Sequence, residues 1–457
     1  MDEKEKRLFL LEKEEVKTAL LKLGIPTMIG MLVSAFYNLV DAFFVGRLGT
    51  VQTAAVSVVY PLTMVGTGVG LLFGSGAGSY ISRLLGKKEY EKVSICTSTT
   101  VFSGMIVIAA VVGVILFNFD PIMSLLGATN ESRNDVNAYG MIYVASLIFN
   151  VFNVMVNNLL VAEGASSYSM GAMMSGGITN MLLDPVFIYG CSLGVRGAAV
   201  ATLLSRLVSS GFYLFYLLKG NSNLKISFRL FKPAVSLYRE IFKIGVPICF
   251  FQILSGGALS LTNVLARQFG EPAIAAMGIV NRVMSMEVNA LYGFLKGYST
   301  LTGYNYGSGN RERVKKATNT ALLWSTGILF GLGLIGILFS GNIIYLFNQE
   351  SPIVLEIGKK ALRVDSISFL TLGLQIVIGN YFLAIGKAKQ GGILSICRQG
   401  VFFIPFLFIL SRAAGITGII FAQPAADVFG TLLTLWIWKV YERSDKRRME
   451  RVKTAGA

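Results

Sequence analysis

Twelve apolar stretches constrain this chain more than any other feature, because about 20 apolar residues is the length at which a helix crosses the hydrocarbon core of a bilayer. They fall at roughly 18–46, 51–82, 93–118, 137–161, 168–190, 196–218, 239–267, 272–301, 316–340, 359–385, 390–411 and 414–438. Composition agrees. Of the 457 residues, 53% are hydrophobic and 14% charged, against about 25% charged in a soluble domain. The expected fold class is therefore an all-α polytopic membrane protein with twelve transmembrane helices. The opening "MDEKEKRLFLLEKEEVK" lacks the apolar core and small-residue cleavage site of a signal peptide, and is expected to be a short cytoplasmic lead-in.

The net charge of +16 reports topology rather than a nucleic-acid partner. With the N-terminus inside, lysine and arginine concentrate on inside segments. Examples are Arg83, Lys87, Lys88 and Lys92, the run from Lys219 to Lys243, Arg311 to Lys316, and the C-terminal tail. Outside ends carry scattered charges such as Arg47, Arg133 and Arg196. The bias predicts a plasma (inner) membrane protein with both termini cytoplasmic. Cys96, Cys191, Cys249 and Cys397 form no CxxC pair and suggest no disulfide framework. The sequence has no histidine, which removes histidine bases, triads and HExxH zinc sites. With no metal cluster or nucleophile constellation either, no enzyme and no cofactor are expected.

The chain repeats itself at an offset of 221 residues. "KLGIP" at Lys22–Pro26 matches "KIGVP" at Lys243–Pro247, Gly49 matches Gly270, Gly86 matches Gly307, and "GVRGAAVA" at 194–201 matches "GITGIIFA" at 415–422. Six spans is an even number, so both halves enter the membrane from the same side and the repeat is parallel. Transporters commonly bind substrate between such halves. The expected organisation is a six-helix lobe at 1–218, a cytoplasmic linker at 219–238, a second lobe at 239–440 and a basic tail at 441–457.

From Leu23 to Gly46 the one charged side chain is Asp41. An acid at the centre of a spanning helix costs about 2.5–3.5 kcal/mol on insertion scales. Asp41, Asp184 and Thr202 lie five or six residues from the outer ends of their spans, which puts them at about the same depth. Asn180 is one turn deeper than Asp184, and Tyr37 one turn deeper than Asp41. Two carboxylates, an amide and a hydroxyl make a candidate oxygen-rich cation site for Na⁺ or a shared proton. The other reading is a pair of acids satisfied by local donors.

The fourth span carries a stripe of Tyr139, Tyr143, Ser146, Asn150, Asn153 and Asn157 at helical spacing. Such a face must line water or protein, and a cavity is the expectation. Gly66, Gly70, Gly74 and Gly78 recur every four residues and read as close helix packing. Pro26 and Pro247, matched across the repeat, could act as hinges, kinks or helix starts. Methionines such as Met31 and Met173 offer adaptable surface, as core filler or as substrate contacts.

The stretches "YNLVDAFFVGRLG", "GAGSYISRLLG", "NMLLDPVFI", "GYNYGSGNRERVKKA", "AIGKAKQGGILSICRQG" and "QPAAD" together resemble the multidrug and toxic compound extrusion family, and within it the prokaryotic multidrug-exporter branch. The resemblance covers nearly the whole chain. It implies a V-shaped twelve-helix transporter, working as a monomer, that exports cationic or amphipathic drugs by H⁺ or Na⁺ antiport. It implies a cation-coupling site, with possible Na⁺, at Asp41, Asn180, Asp184 and Thr202. Substrate contacts would come from Tyr37, Tyr139, Asn153, Asn157, Met31 and Met173, with a hinge at Pro26.

The second half carries Thr262 where the first has Asp41, and charges of its own at Glu287, Lys296, Asp365 and Asp427. Glu287 and Lys296 are nine residues apart, half a turn out of phase, so each needs a partner elsewhere. A lipid-linked saccharide flippase of the same superfamily is the alternative function, and a non-transporting receptor or scaffold a third. A flippase is expected to show fourteen helices and a basic cavity.

Overall fold

The computed structural model describes residues 2–220, 222–349 and 351–455, with side chains described as far as Asp445. The outermost side chains of the basic tail, and residues 456 and 457, lie outside the described residues. Among the described residues every regular element is helical.

An N-terminal helix, α1 (Glu3–Glu12), precedes the first span. Its start is fixed by Asp2 and Glu5, which form a reciprocal capping box. The sequence reading took this segment as a simple lead-in. The first half continues with α2 (Val16–Gly46), α3 (Thr50–Gly86), α4 (Tyr90–Phe117), the short α5 (Phe119–Leu125), α6 (Arg133–Ala162), α7 (Ser166–Pro185) and α8 (Gly194–Leu218). The second half runs α9 (Val235–Ala266), α10 (Glu271–Gly307), α11 (Arg311–Leu338), the short α12 (Ser340–Phe347), α13 (Pro352–Ala384), α14 (Ala388–Ile396) and α15 (Phe403–Ala455).

All twelve expected spans are helical. Within α15, Gly415 (φ 60°) breaks the helix and separates the last two spans. Among the described residues, nine helical stretches are long and apolar enough to cross a membrane, the last one joining two spans. Ser166–Pro185 and Glu271–Gly307 fall short of it. These are the helices that carry Asn180 and Asp184, and Arg282, Glu287 and Lys296.

The backbone repeats as the sequence does. Gly194 and Gly415 both take a positive φ, at 56° and 60°, as do Lys88 and Gly309, at 62° and 83°. Short helices α5 and α12 begin at equivalent positions. Both proline-bearing helices run through their prolines: α2 begins ten residues before Pro26 and α9 twelve before Pro247. Neither proline is a helix start. Pro185 ends the α-helical part of α7, and the chain passes into a π-helical turn at Val186–Gly190.

The chain divides into two compact units. The first comprises Met1–Gln252, Tyr292–Ala317 and Ala384–Gly386, and the second Ile253–Leu291, Thr318–Leu383 and Lys387–Ala457. These units cross the sequence repeat. In the first, α6 packs along α3 and α8, and α7 along α2 and α8.

The same unit holds a glycine seam between the two halves of the sequence. A Cβ built on Gly86 would overlap the Tyr304 carbonyl, and one built on Gly307 would overlap that of Arg83. Those two contacts are exchanged by the repeat, since 86 pairs with 307 and 83 with 304. Gly76 meets Ile241, Gly245 meets Leu72, Gly293 meets Met28 and Gly297 meets Gly24 in the same manner. Beside Pro26, the Thr27 hydroxyl lies 2.6 Å from the Gly293 carbonyl.

The N-terminal helix closes over this end of the unit. Leu11 is fully buried. Its carbonyl accepts from Asn305 Nδ2 (3.0 Å) and Arg313 Nε (3.3 Å). Arg7 lies 5.7 Å over the Tyr216 ring. Glu163, just past α6, is fully buried. It accepts from the Tyr216 hydroxyl (2.8 Å), the Ser222 hydroxyl (2.7 Å) and the Asn223 N–H (3.0 Å). Burial pushes the Glu163 carboxyl above its ordinary range, against the opposing pull of Arg7 and its three donors. The linker after α8 is thereby pinned to the protein, and α9 begins at Val235, inside the expected 219–238 boundary.

In the second unit, Ala258, Met277, Val280, Leu362, Phe403, Leu407 and Ile420 form the centre of the apolar core.

Candidate functional site: two facing acids and a guanidinium

Asp41 on α2 and Asp184 on α7 bring their carboxyl groups within hydrogen-bonding reach of each other. The long contact of α2 along α7 makes this possible. Gly177 contributes, because a Cβ there would sit 3.1 Å from Tyr37 Cδ1 and 3.3 Å from Val33 Cγ1. Asp184 is fully buried, and Asn180 Nδ2 donates to its Oδ1 at 3.2 Å. Asp41 Oδ1 and Asp184 Oδ2 are buried and receive no donor. Two facing carboxylates repel, and a proton or small cation between them removes the repulsion. The donors here are two carboxylates and an amide, oxygen donors that suit a small hard cation better than a transition metal.

Thr202 lies on α8, half-buried, with no hydrogen bond from its hydroxyl to either acid. One turn deeper on the same face stands Arg206, which the sequence reading missed. Its Nη1 donates to Ser146 Oγ and its Nη2 to the Tyr143 hydroxyl (2.9 Å). The guanidinium carbon lies 4.6 Å over the Tyr143 ring. Arg206 is near enough to Asp41, Tyr37 and Tyr139 to act on them electrostatically. The available signal was its i, i+4 relation to Thr202.

The polar stripe of α6 meets side chains more than open water. Tyr139 stacks on Tyr143 at 5.2 Å, and the Tyr143 hydroxyl also contacts Thr63 Oγ1 at 2.7 Å. Asn153 donates to the Arg206 carbonyl (2.9 Å) and accepts from Ser210 (2.7 Å). Asn157 donates to Ser169 and to the Tyr213 hydroxyl. It also accepts from Lys296 Nζ at 3.0 Å. Tyr139, Tyr143, Ser146 and Asn157 are buried, while Tyr37, Met31, Asn153 and Met173 are half-buried. Met173 packs against Gly30 of α2, its Sδ 3.0 Å from where a Cβ would stand.

Of the charges in the second half, Lys296 thus finds Asn157 in the first unit. The other three lie in the second. Asp427 pairs with Arg398 Nε at 2.8 Å and accepts from Gln423 Nε2 at 3.0 Å. Asp365 is buried with an unpartnered Oδ1. Glu287 is half-buried with an unpartnered Oε2.

Twelve helical spans in two parallel repeats, with paired acids inside one of them, define a polytopic membrane protein of the transporter class. The MatE family profile matches residues 26–186 and 247–409, stretches that begin at the two prolines the repeat aligns. Multidrug export protein MepA of Staphylococcus aureus (strain MRSA252) is 32% identical over 436 residues, covering 95% of this chain and 96% of that protein. MepA of Staphylococcus saprophyticus is 30% identical over 450 residues, covering 98% of each. A solved multidrug resistance transporter of the multidrug and toxic compound extrusion (MATE) family, in an outward-facing conformation, superposes with a TM-score of 0.91 at 27% identity, over 97% of this chain and 99% of that one. The chain belongs to the MatE family.

Proposed function

We propose that this protein is an H⁺- or Na⁺-coupled antiporter that exports cationic or amphipathic drugs and toxic organic compounds by alternating access. The observation that carries the reading is the Asp41–Asp184 pair, half-buried and fully buried, with a buried, unsatisfied oxygen on each side chain. Intramembrane acids are functional by default, and this pair can hold and release a cation. The relatives named for multidrug export support the drug substrate.

In this reading a cation taken up at Asp41 and Asp184, with Asn180 orienting Asp184, favours the rearrangement of α2 about Pro26. The half-buried Tyr37, Met31 and Asn153 meet the drug. The ion drives export only through the difference in its affinity for the two states. The protein sits in the inner membrane as a monomer with both termini cytoplasmic, and its lobes follow the sequence repeat, at 1–218 and 239–440.

The test is efflux of a cationic dye from proteoliposomes under an imposed Na⁺ or pH gradient, wild type against Asp41→Asn. Gradient-driven efflux lost in the variant supports the antiporter and names the ion. Equal efflux in both proteins refutes the role given to Asp41.

A further inference from the structure

We propose that the segment from Ser222 to Ala234, between α8 and α9, is an interfacial strap that binds an anionic phospholipid. Lys225, Arg229 and Lys232 take the phosphate headgroup, and Phe228 lies among the acyl chains. The inference is independent of the antiporter reading and needs only that the chain spans a membrane.

The strap is fixed along the first turns of α4. Ser98 Oγ donates to the Lys225 carbonyl (2.7 Å) and accepts from the Ser227 N–H (3.1 Å). Thr99 Oγ1 accepts from the Lys232 N–H (3.2 Å). Farther along, the Ser103 and Tyr238 hydroxyls meet at 2.6 Å. Thr97, Ser98, Thr99 and Thr100 are fully buried.

These contacts hold the strap at a membrane boundary. The turns of α4 from Ser94 to Thr100 are mostly polar, whereas Val101–Phe117 carries one polar side chain, Ser103. That apolar stretch rises about 26 Å at 1.5 Å per residue, close to the hydrocarbon core of about 30 Å. Beyond the strap, the exposed apolar side chains of α4 begin at Ile106. At the boundary stands a cluster of three rings, Phe102, Phe228 and Phe231, with centroids 5.7, 5.9 and 6.1 Å apart. Aromatic side chains collect at this level of a bilayer. Phe228 is nevertheless 75% exposed, and lipid is the apolar phase available to cover it.

The charge of the strap has one sign. No acidic residue occurs from Ser222 to Arg239. Lys225, Arg229 and Lys232 are exposed. The neighbouring cations Arg83 and Lys243 both pair with Glu240, while the three on the strap form no ion pair among the described residues. Basic segments beside a span attract anionic headgroups. Their place at the hydrocarbon boundary, with the Phe228 ring between them in the chain, selects a lipid over a soluble anion.

The test is native mass spectrometry of the purified full chain in detergent, titrated with dioleoylphosphatidylglycerol or dioleoylphosphatidylcholine. Wild type should retain phosphatidylglycerol in preference, and Lys225→Gln, Arg229→Gln and Lys232→Gln should each weaken that retention about fivefold. The triple variant should lose the preference. The Ser98 and Thr99 bonds go to the strap's backbone, so they survive these substitutions; should the triple variant fail to fold, the single variants decide. Wild-type retention in the variants overturns the inference. An equal loss in the triple variant Lys13→Gln, Lys17→Gln and Lys315→Gln, exposed cations elsewhere, would make net charge the cause and overturn it too. Displacement of the lipid by millimolar inorganic phosphate would mark a free-anion site and overturn the lipid assignment.

Discussion

Lys296 Nζ donates to Asn157 Oδ1 at 3.0 Å and so ties α10, from the second sequence repeat, to the polar face of α6 in the first. Asn157 is otherwise held by Ser169 and Tyr213, so the acceptor is oriented before the lysine reaches it. A hydrogen bond to a charged group contributes about 1.5–3 kcal/mol. In a double-mutant cycle on thermal unfolding, Asn157→Leu and Lys296→Leu should show a coupling of about that size. Additive losses would mean that the contact contributes nothing.

Leu11 is expected to matter more than its place in a charged N-terminal segment suggests. Its side chain is fully buried and its carbonyl serves Asn305 and Arg313. Leu11→Ala should cost about 2–5 kcal/mol, in the range of other buried leucines. Hydrogen exchange at residues 3–12 should rise with it, and unchanged exchange would count against a docked helix.

Glu163 gives the stability of the protein a pH dependence of defined sign. Its folded carboxyl is shifted upward by burial, so the folded state binds its proton more tightly than the unfolded state. Its favourable contribution is present in full below the unfolded value of about 4.3 and is lost as pH rises through the folded value. Melting temperature against pH should therefore fall across that window in the wild type and less in Glu163→Gln. Parallel curves would show that Glu163 is not the group responsible.

Gly86→Ala and Gly307→Ala should each fail to close the seam, since either methyl would overlap a helix backbone that cannot yield. Overpacking of this kind costs about 1–3 kcal/mol. The double variant should lose less than the sum, because one methyl already holds the helices apart. Full additivity on thermal unfolding would argue against a shared seam.

Cys191, at the end of α7 away from α1, is exposed, whereas Cys96 is buried. A membrane-impermeant maleimide added to intact cells should label the wild type and not Cys191→Ser if both termini are cytoplasmic. Labelling only after lysis would reverse the orientation.

How much of this was legible in the sequence depends on what signal each feature left. The spans and the repeat were readable because hydrophobic length and the 221-residue echo need no tertiary information. Asp41 and Asp184 stood out as lone acids in apolar runs. Arg206 did not, because a lone arginine near the middle of a span gives no sign of its partners until Tyr143 and Ser146 are seen to hold it. Glu163 left no signal in the sequence, since its donors come from about 50 residues or more down the chain. The α6 stripe was recognised as polar, but periodicity cannot tell a wet face from one matched by polar neighbours, and here the neighbours supply most of its partners.

The exchanged contacts of Gly86 with Tyr304 and Gly307 with Arg83 have the form of an isologous interface, in which one surface meets its own copy. Two copies of one six-helix unit packed through the same surface would make the same pair of contacts. Half-chains made apart still carry matching surfaces by which to find each other.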